Sequence, residues 1–238
     1  MRFTGKRVFV TGAASGIGAA TAELFRAEGA SVVGLDIAAA EGIVPCDVTD
    51  PASVRAAMDS ALATLGGLDV CCNVAGIAQL MRIEDLTLEH WNRHLAVNLT
   101  GPMLVTQAAL PHLRASGGNV VIVASISGLQ GQPWNAAYCS SKGGVLMLMR
   151  ALAVELQAEG IRVNAVCPGT VATPLTNVAL DKMTGEIDFS MFSRMTGNLG
   201  GNGNSEPSEI AEAIAFLASD AASSITGTAL RVDRGTIW

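Results

Sequence analysis

Short apolar runs rich in β-branched residues recur along the chain and alternate with stretches of helical periodicity. The strand-like runs are 6–11 (KRVFVT), 30–36 (ASVVGLD), 43–46 (IVPC), 69–73 (DVCCN), 119–125 (NVVIVAS), 161–167 (IRVNAVC) and 228–233 (TALRVD). Between most of them, 16–28, 51–65, 87–113, 138–158 and 207–218 carry apolar residues at helical spacing. The strand runs are continuously apolar, the mark of strands covered on both faces. Strands alternating with helices predict βαβ units with right-handed crossovers. The expected fold is therefore α/β, a doubly wound, mostly parallel seven-stranded sheet. With no internal repeat and no break in composition, residues 1–238 are expected to form one domain.

Two places break the rhythm. About six residues separate the strand ending at Asp36 from the one beginning near Ile43, too few for a crossover helix. Residues 175–206 are rich in Gly, Asn, Thr, Met and Ser with little periodicity, which predicts a substrate loop or lid.

Composition narrows the picture. Half of the residues are hydrophobic but only 4% aromatic, which suits buried strands flanked by helices and excludes disorder. The net charge of −6 leaves no footprint for nucleic acid. The apolar run near the N-terminus is too short for a signal-peptide core. The longest apolar stretch, "GGVLMLMRALAVELQ", is broken by Arg150 and Glu155, so no membrane span is expected. Five cysteines (46, 71, 72, 139, 167) without CxxC spacing read as small buried thiols of a cytoplasmic protein. His90 and His94 stand four apart, but with no third ligand in view they read as a solvated helix face, and no metal is expected.

Candidate chemistry begins where the first strand runs into "TGAASGIG", residues 11–18, and a helix follows. Glycines at 12, 16 and 18 permit a tight turn and close approach of backbone to a ligand. The following helix offers free N–H groups and a positive dipole end to a pyrophosphate. Asp36 closes the second strand eighteen residues after Gly18, where a carboxylate can hold both ribose hydroxyls of an adenosine and repel a 2′-phosphate. Neither the loop nor "DIAAAEG" carries a basic residue to neutralise such a phosphate, so the cofactor expected is NAD.

The stretch "YCSSK" sets the only tyrosine of the chain, Tyr138, four residues before Lys142. On a helix the two share a face. A nearby ammonium favours the phenolate, which makes the pair a plausible acid/base couple. Ser125 ends the strand "NVVIVAS", at the edge where an open parallel sheet forms its ligand crevice, and its hydroxyl can bind a substrate oxygen.

With these motifs in order, the sequence resembles the short-chain dehydrogenase/reductase family over essentially its whole length. "TGAASGIG" resembles the cofactor loop and "CDVT" the segment whose Asp47 contacts adenine. "NVAG" at 73–76 resembles the family's NNAG with Val74 for the second asparagine, and "PGTVATP" at 168–174 the loop beside the nicotinamide. Asn98 in "VNLTG", Ser125, Tyr138 and Lys142 match the catalytic tetrad.

The resemblance implies hydride transfer between NAD and a secondary alcohol or ketone. Tyr138 is expected to be the acid/base, Lys142 to lower its pKa and hold the nicotinamide ribose, Ser125 to polarise the substrate oxygen, and Asn98 to hold a water linking Lys142 to solvent. Cofactor contacts are expected from Gly12, Ser15, Gly16, Ile17, Gly18, Asp36, Asp47, Val48, Asn73, Ala75, Gly76, Tyr138, Lys142, Pro168, Gly169, Val171 and Thr173, and substrate contacts from Ser125, Gln132 and Trp134, with Gln130 and Asn135 nearby.

Three features depart from the family pattern: the short link after Asp36, Arg234 in "VDRG" where a second glycine is usual, and a missing arginine before Pro207. The helix after Tyr138 is apolar almost all round, and in this family such helices pair across subunits, which implies a homotetramer or homodimer. Alternative readings are a 3-oxoacyl-acyl-carrier-protein reductase, which Ser116 and Glu159 disfavour where basic residues are expected, and a non-catalytic dinucleotide sensor, which the complete tetrad disfavours.

Overall fold

The computed structural model describes residues 1–38, 40–176 and 203–236. Most of the loop expected at 175–206 lies outside them. Seven strands form one parallel sheet: β1 (Arg7–Thr11), β2 (Ser31–Asp36), β3 (Ile43–Pro45), β4 (Val70–Asn73), β5 (Asn119–Val123), β6 (Arg162–Pro168) and β7 (Ala229–Val232). Their order is β3-β2-β1-β4-β5-β6-β7, and each neighbouring pair is parallel. The order reverses at β1, which places a crevice outside the carboxyl ends of β1 and β4. Every residue of β4 and β5 is buried, as their unbroken apolar runs require. Among the described residues no helix stands between β2 and β3, and β3 is three residues long, in line with the short link after Asp36.

Helices α1 (Gly16–Ala27), α2 (Pro51–Leu65), α3 (Leu88–Leu95), α4 (Gly101–Ser116), α5 (Ala136–Leu156) and α6 (Pro207–Ala218) cover both faces. One core packs Phe9, Leu35, Val105, Ile122, Met149 and Leu156 under α2, α4 and α5; the other packs Val8, Phe25, Val121, Val166 and Ile214 under α1 and α6. Local chemistry sets the ends. Asp50 caps α2 through the amides of Ala52 and Ser53, with Pro51 in the first turn. Glu206 and Glu209 form a capping box at α6.

The helix expected over 87–113 is not uniform. Between α3 and α4 the chain makes one π-helical turn, Ala96–Thr100, closed by Gly101 N–H to the carbonyl of Ala96. Pro102 explains it, because it has no N–H to return to the carbonyl of Asn98 four residues back. The C-terminal departure also has a physical account. Arg234 takes a left-handed φ of 50°, a conformation costly for a side-chain-bearing residue, and pairs with Glu209 of the α6 cap at 2.7 Å. That pair anchors the α6 cap to the turn after β7, next to the position where the family arginine is missing.

Candidate active site

The carboxyl ends of β1, β2, β4, β5 and β6 converge on two adjoining cavities. The first is a groove of about 400 Å³ lined by Gly12, Ser15, Gly16, Ile17, Gly18, Asp36, Asp47, Val48, Ala75, Gly76 and Thr173. Gly18 is obligatory, because a Cβ there would collide with the backbone of Gly12. Ser15, extended at φ −156°, opens α1 without a side-chain cap bond, and the first turn holds no acidic residue, so its N–H groups face the groove free of a competing carboxylate. The Asp36 carboxylate is held by the amides of Ala14 (3.0 Å) and Ala38 (2.9 Å), one on each oxygen. Asp47 spends one oxygen on Thr49. A glycine cradle, a bare helix N-terminus and a fixed carboxylate are the parts a dinucleotide needs, and these residues fit one.

The second cavity, about 280 Å³, continues from the groove past Gly76 and Ile77. Ser125, Gln132, Tyr138, Lys142, Pro168, Gly169, Val171 and Thr173 line it. Ser125 leaves the end of β5 in an extended conformation, and its hydroxyl accepts the amide of Ser127 at 3.1 Å. The 126–128 turn lies against α5 so closely that a Cβ on Gly128 would sit 2.5 Å from the carbonyl oxygen of Lys142. That contact sets Ser125 beside the first turns of α5, which carry Tyr138 and Lys142.

Lys142 is buried, with Nζ donating to the carbonyl of Val123 at 2.8 Å and lying 5.7 Å from the centre of the Tyr138 ring. Desolvation lowers its pKa to about 8. Burial pushes the Tyr138 phenol up to about 12, opposed by a hydrogen bond with Ser125. Desolvation thus moves the two groups in opposite senses, raising the phenol of Tyr138, which is half-buried at the cavity, and lowering the ammonium of the buried Lys142.

Asn98 lies beneath the cavity. The π turn directs its carboxamide at Ile77, with Nδ2 donating to that carbonyl and Oδ1 accepting that amide, both at 2.9 Å. Nδ2 also donates to Ser141 Oγ at 3.0 Å. Gly76 stands between Asn98 and Lys142, since a Cβ there would be 3.2 Å from Asn98 Oδ1 and 3.6 Å from Lys142 Nζ.

Two expected contacts lie elsewhere. Asn73 turns into the core, where Nδ2 donates to Thr106 Oγ1 at 3.1 Å, because β4 alternates its side chains and this one faces α4. Trp134 does not line the cavity; its backbone, at φ 55°, shapes the turn that presents Gln132 and Asn135. His94 is also misplaced by the sequence reading. It is buried rather than solvated, its Nδ1 meets the carbonyl of His90 at 3.0 Å, and desolvation lowers its pKa. Among the described residues no three metal-binding side chains cluster, and the five cysteines are free.

The sequence reading missed Ile37, Cys46, Arg93 and Val97 in the groove and Ser127 in the cavity. Arg93 and Val97 were legible as an i, i+4 pair sharing a face with the groove. Arg93 also corrects the view that no cation is at hand, although it is exposed and comes from α3 rather than from the loop.

Known proteins confirm the assignment these elements suggest. The family described as Enoyl-(Acyl carrier protein) reductase matches residues 12–236. The chain is 43% identical to cis-4-hydroxycyclohexanecarboxylate dehydrogenase of Sinomonas cyclohexanicum, covering 98% of this chain and 97% of that protein. It is 39% identical to D-threitol dehydrogenase of Mycolicibacterium smegmatis, covering 98% and 94%. Its fold superposes on a 3-ketoacyl-(acyl-carrier-protein) reductase of Brucella melitensis complexed with NADH, with a TM-score of 0.87, 32% identity and coverage of 98% and 99%. The chain belongs to the short-chain dehydrogenase/reductase family of oxidoreductases.

Proposed function

We propose that this protein is an NAD-dependent dehydrogenase of secondary alcohols, working reversibly on the corresponding ketones, with Asn98, Ser125, Tyr138 and Lys142 as its catalytic tetrad. The observation that carries the reading is the convergence of Ser125, Tyr138 and Lys142 on one cavity that opens into the glycine-loop groove. NAD, when bound, supplies the hydride acceptor and a positive ring charge near the phenol. Tyr138 takes the alcohol proton, or returns one to a ketone in reverse. Ser125 turns its one hydroxyl proton, which otherwise rests on Ser127 Oγ, to the reacting oxygen. Lys142, held by Val123, favours the phenolate and the nicotinamide ribose, while Asn98 fixes the Ile77 backbone that walls the site. Asp36 selects against a 2′-phosphate at close range, and Arg93, exposed and screened, offsets it weakly.

One domain over 1–238, a substrate loop within 175–206 and a cytoplasmic setting belong to the same reading. So does a homotetramer or homodimer, supported by Met147 and Val154 standing exposed on α5 and Met103 on α4. A panel of secondary alcohols and ketones, assayed with NAD(H) and NADP(H) separately, tests the proposal; turnover of none of them refutes it. Light scattering of the active preparation is expected to give a dimer or tetramer, and a mass of one chain rejects that part.

A second reading, reduction of a 3-oxoacyl group on an acyl-carrier protein, is favoured by the Brucella likeness; the family description shares the carrier but names enoyl reduction. The surface supports it less well. Ser116 turns its hydroxyl inward to the carbonyl of Leu68, and Glu159 is paired with Arg114, so neither position offers a free cation to an acidic carrier.

A further inference from the structure

One wall of the cavity is more polar than the oxidation of a lone hydroxyl requires. Gln132 Oε1 accepts from Ser127 Oγ at 2.7 Å and from Asn135 Nδ2 at 2.9 Å. An amide oxygen has two lone pairs, and both are used. The carboxamide is thus held by its oxygen, and Nε2 is the end left to the cavity that Gln132 lines. Ser125 Oγ in turn donates to Ser127 Oγ at 3.1 Å, so a directed chain of two hydrogen bonds joins the reacting end to Gln132.

The same wall holds a buried acceptor without a donor. Asn135 Oδ1 has no hydrogen-bond partner, and it is the one such buried side-chain atom among the described residues lining this cavity. An orphaned acceptor of this kind is costly unless a ligand satisfies it. The turn carrying both amides is built under constraint: Trp134 adopts φ 55°, and its carbonyl accepts the amide of Met81 at 2.7 Å. Strained, tied backbone of this sort marks sites where geometry is functional. Much of the remaining lining is apolar, from Ile77, Ala78, Leu80 and Val171.

We propose that Gln132 and Asn135 form a subsite for a second hydroxyl close to the reacting carbon, so that the preferred substrates are small diols or polyols rather than simple secondary alcohols. The inference rests on the dehydrogenase reading above. A hydroxyl accepts from Gln132 Nε2 and donates to Asn135 Oδ1; an ether or ketone oxygen does only the first. Lys142 is the one cation among the described residues lining this cavity, and in the reading above its remaining N–H groups serve the nicotinamide ribose and the phenolate, so a carboxylate finds no cation of its own in this wall. Ser127 acts as a positioning residue that keeps the Gln132 amide the right way round.

The test is kcat/KM with NAD for butane-2,3-diol against butan-2-ol and for cyclohexane-1,2-diol against cyclohexanol, in wild type, Gln132→Leu and Gln132→Glu. The wild-type ratio of diol to mono-alcohol is expected to be about tenfold or more, since a site built to bind a hydroxyl discriminates against its absence. It should fall toward unity in Gln132→Leu and also in the near-isosteric Gln132→Glu, which has no N–H to donate. The dissociation constant of each diol in its dead-end complex with NADH, followed by nicotinamide fluorescence, should weaken in parallel. A wild-type ratio near one, or a ratio unchanged in both variants while butan-2-ol is still turned over, overturns the subsite and leaves the dehydrogenase reading standing. No turnover of any alcohol or ketone removes that reading and the subsite together.

Discussion

Replacing Asn98 by Ala is expected to cost stability as well as activity. The wild-type carboxamide satisfies both backbone groups of Ile77 and one hydroxyl of Ser141, all in a residue that is 1% exposed. Alanine leaves the Ile77 amide and carbonyl without their partner, and each buried group so orphaned costs about 1–3 kcal/mol. If a water recovers part of that loss, a net destabilisation of about 2–4 kcal/mol remains. In a domain of this length each kcal/mol moves Tm by roughly 2–4 °C, so a fall of about 4–16 °C follows. Because Ile77 walls both cavities, kcat should drop with it, and Asn98→Asp, which sets a buried carboxylate oxygen against the Ile77 carbonyl, should be no milder than Asn98→Ala. Thermal unfolding with and without NADH, paired with steady-state kinetics, measures both effects. A Tm within about 2 °C of wild type, the shift expected of less than 1 kcal/mol, would show that the π turn holds Ile77 without Asn98.

Two further predictions concern charge. Asp36→Ala should shrink the preference for NAD over NADP, expected to exceed about a hundredfold in wild type since two charge-assisted bonds contribute about 3 kcal/mol or more; a ratio of kcat/KM values unchanged by the substitution removes Asp36 as the selector. The lowered pKa of Lys142, about 8 against 10.5 for an unperturbed lysine, means that the unfolded chain binds more protons than the folded one between those values. Its contribution to unfolding free energy therefore rises with pH across that window. Stability of wild type relative to Lys142→Met should rise from about pH 8 upward, and a flat difference in denaturant titrations contradicts a desolvated Lys142.

Much of this fold was legible because parallel strands are long apolar runs and the helices between them carry plain caps. Asp36, Ser125, Tyr138 and Lys142 sit at the ends of such elements, so their placement follows from the pattern. What escaped the sequence depends on side-chain direction and on contacts far apart in the chain. Asn73 stands inside a recognisable motif, yet the pleat turns it to Thr106. The π turn at Asn98 follows from Pro102, a residue that ordinary helical periodicity passes over. The Gln132 wall needs Ser127, Asn135 and the strained Trp134 together, and no spacing rule announces that network. For a related reason the proximity of Tyr138 and Lys142 was readable, whereas the desolvation that raises the phenol and lowers the ammonium was not.

The central claim is that Tyr138 carries the proton in a nicotinamide-linked oxidation, and Tyr138→Phe tests it most directly. The chain has no other tyrosine to take over, and phenylalanine keeps the ring while deleting the hydroxyl. With a substrate found active in the alcohol and ketone panel, kcat is expected to fall about a hundredfold or more, while NADH binding by fluorescence titration stays near wild type. Turnover of Tyr138→Phe within a few-fold of wild type would contradict the account.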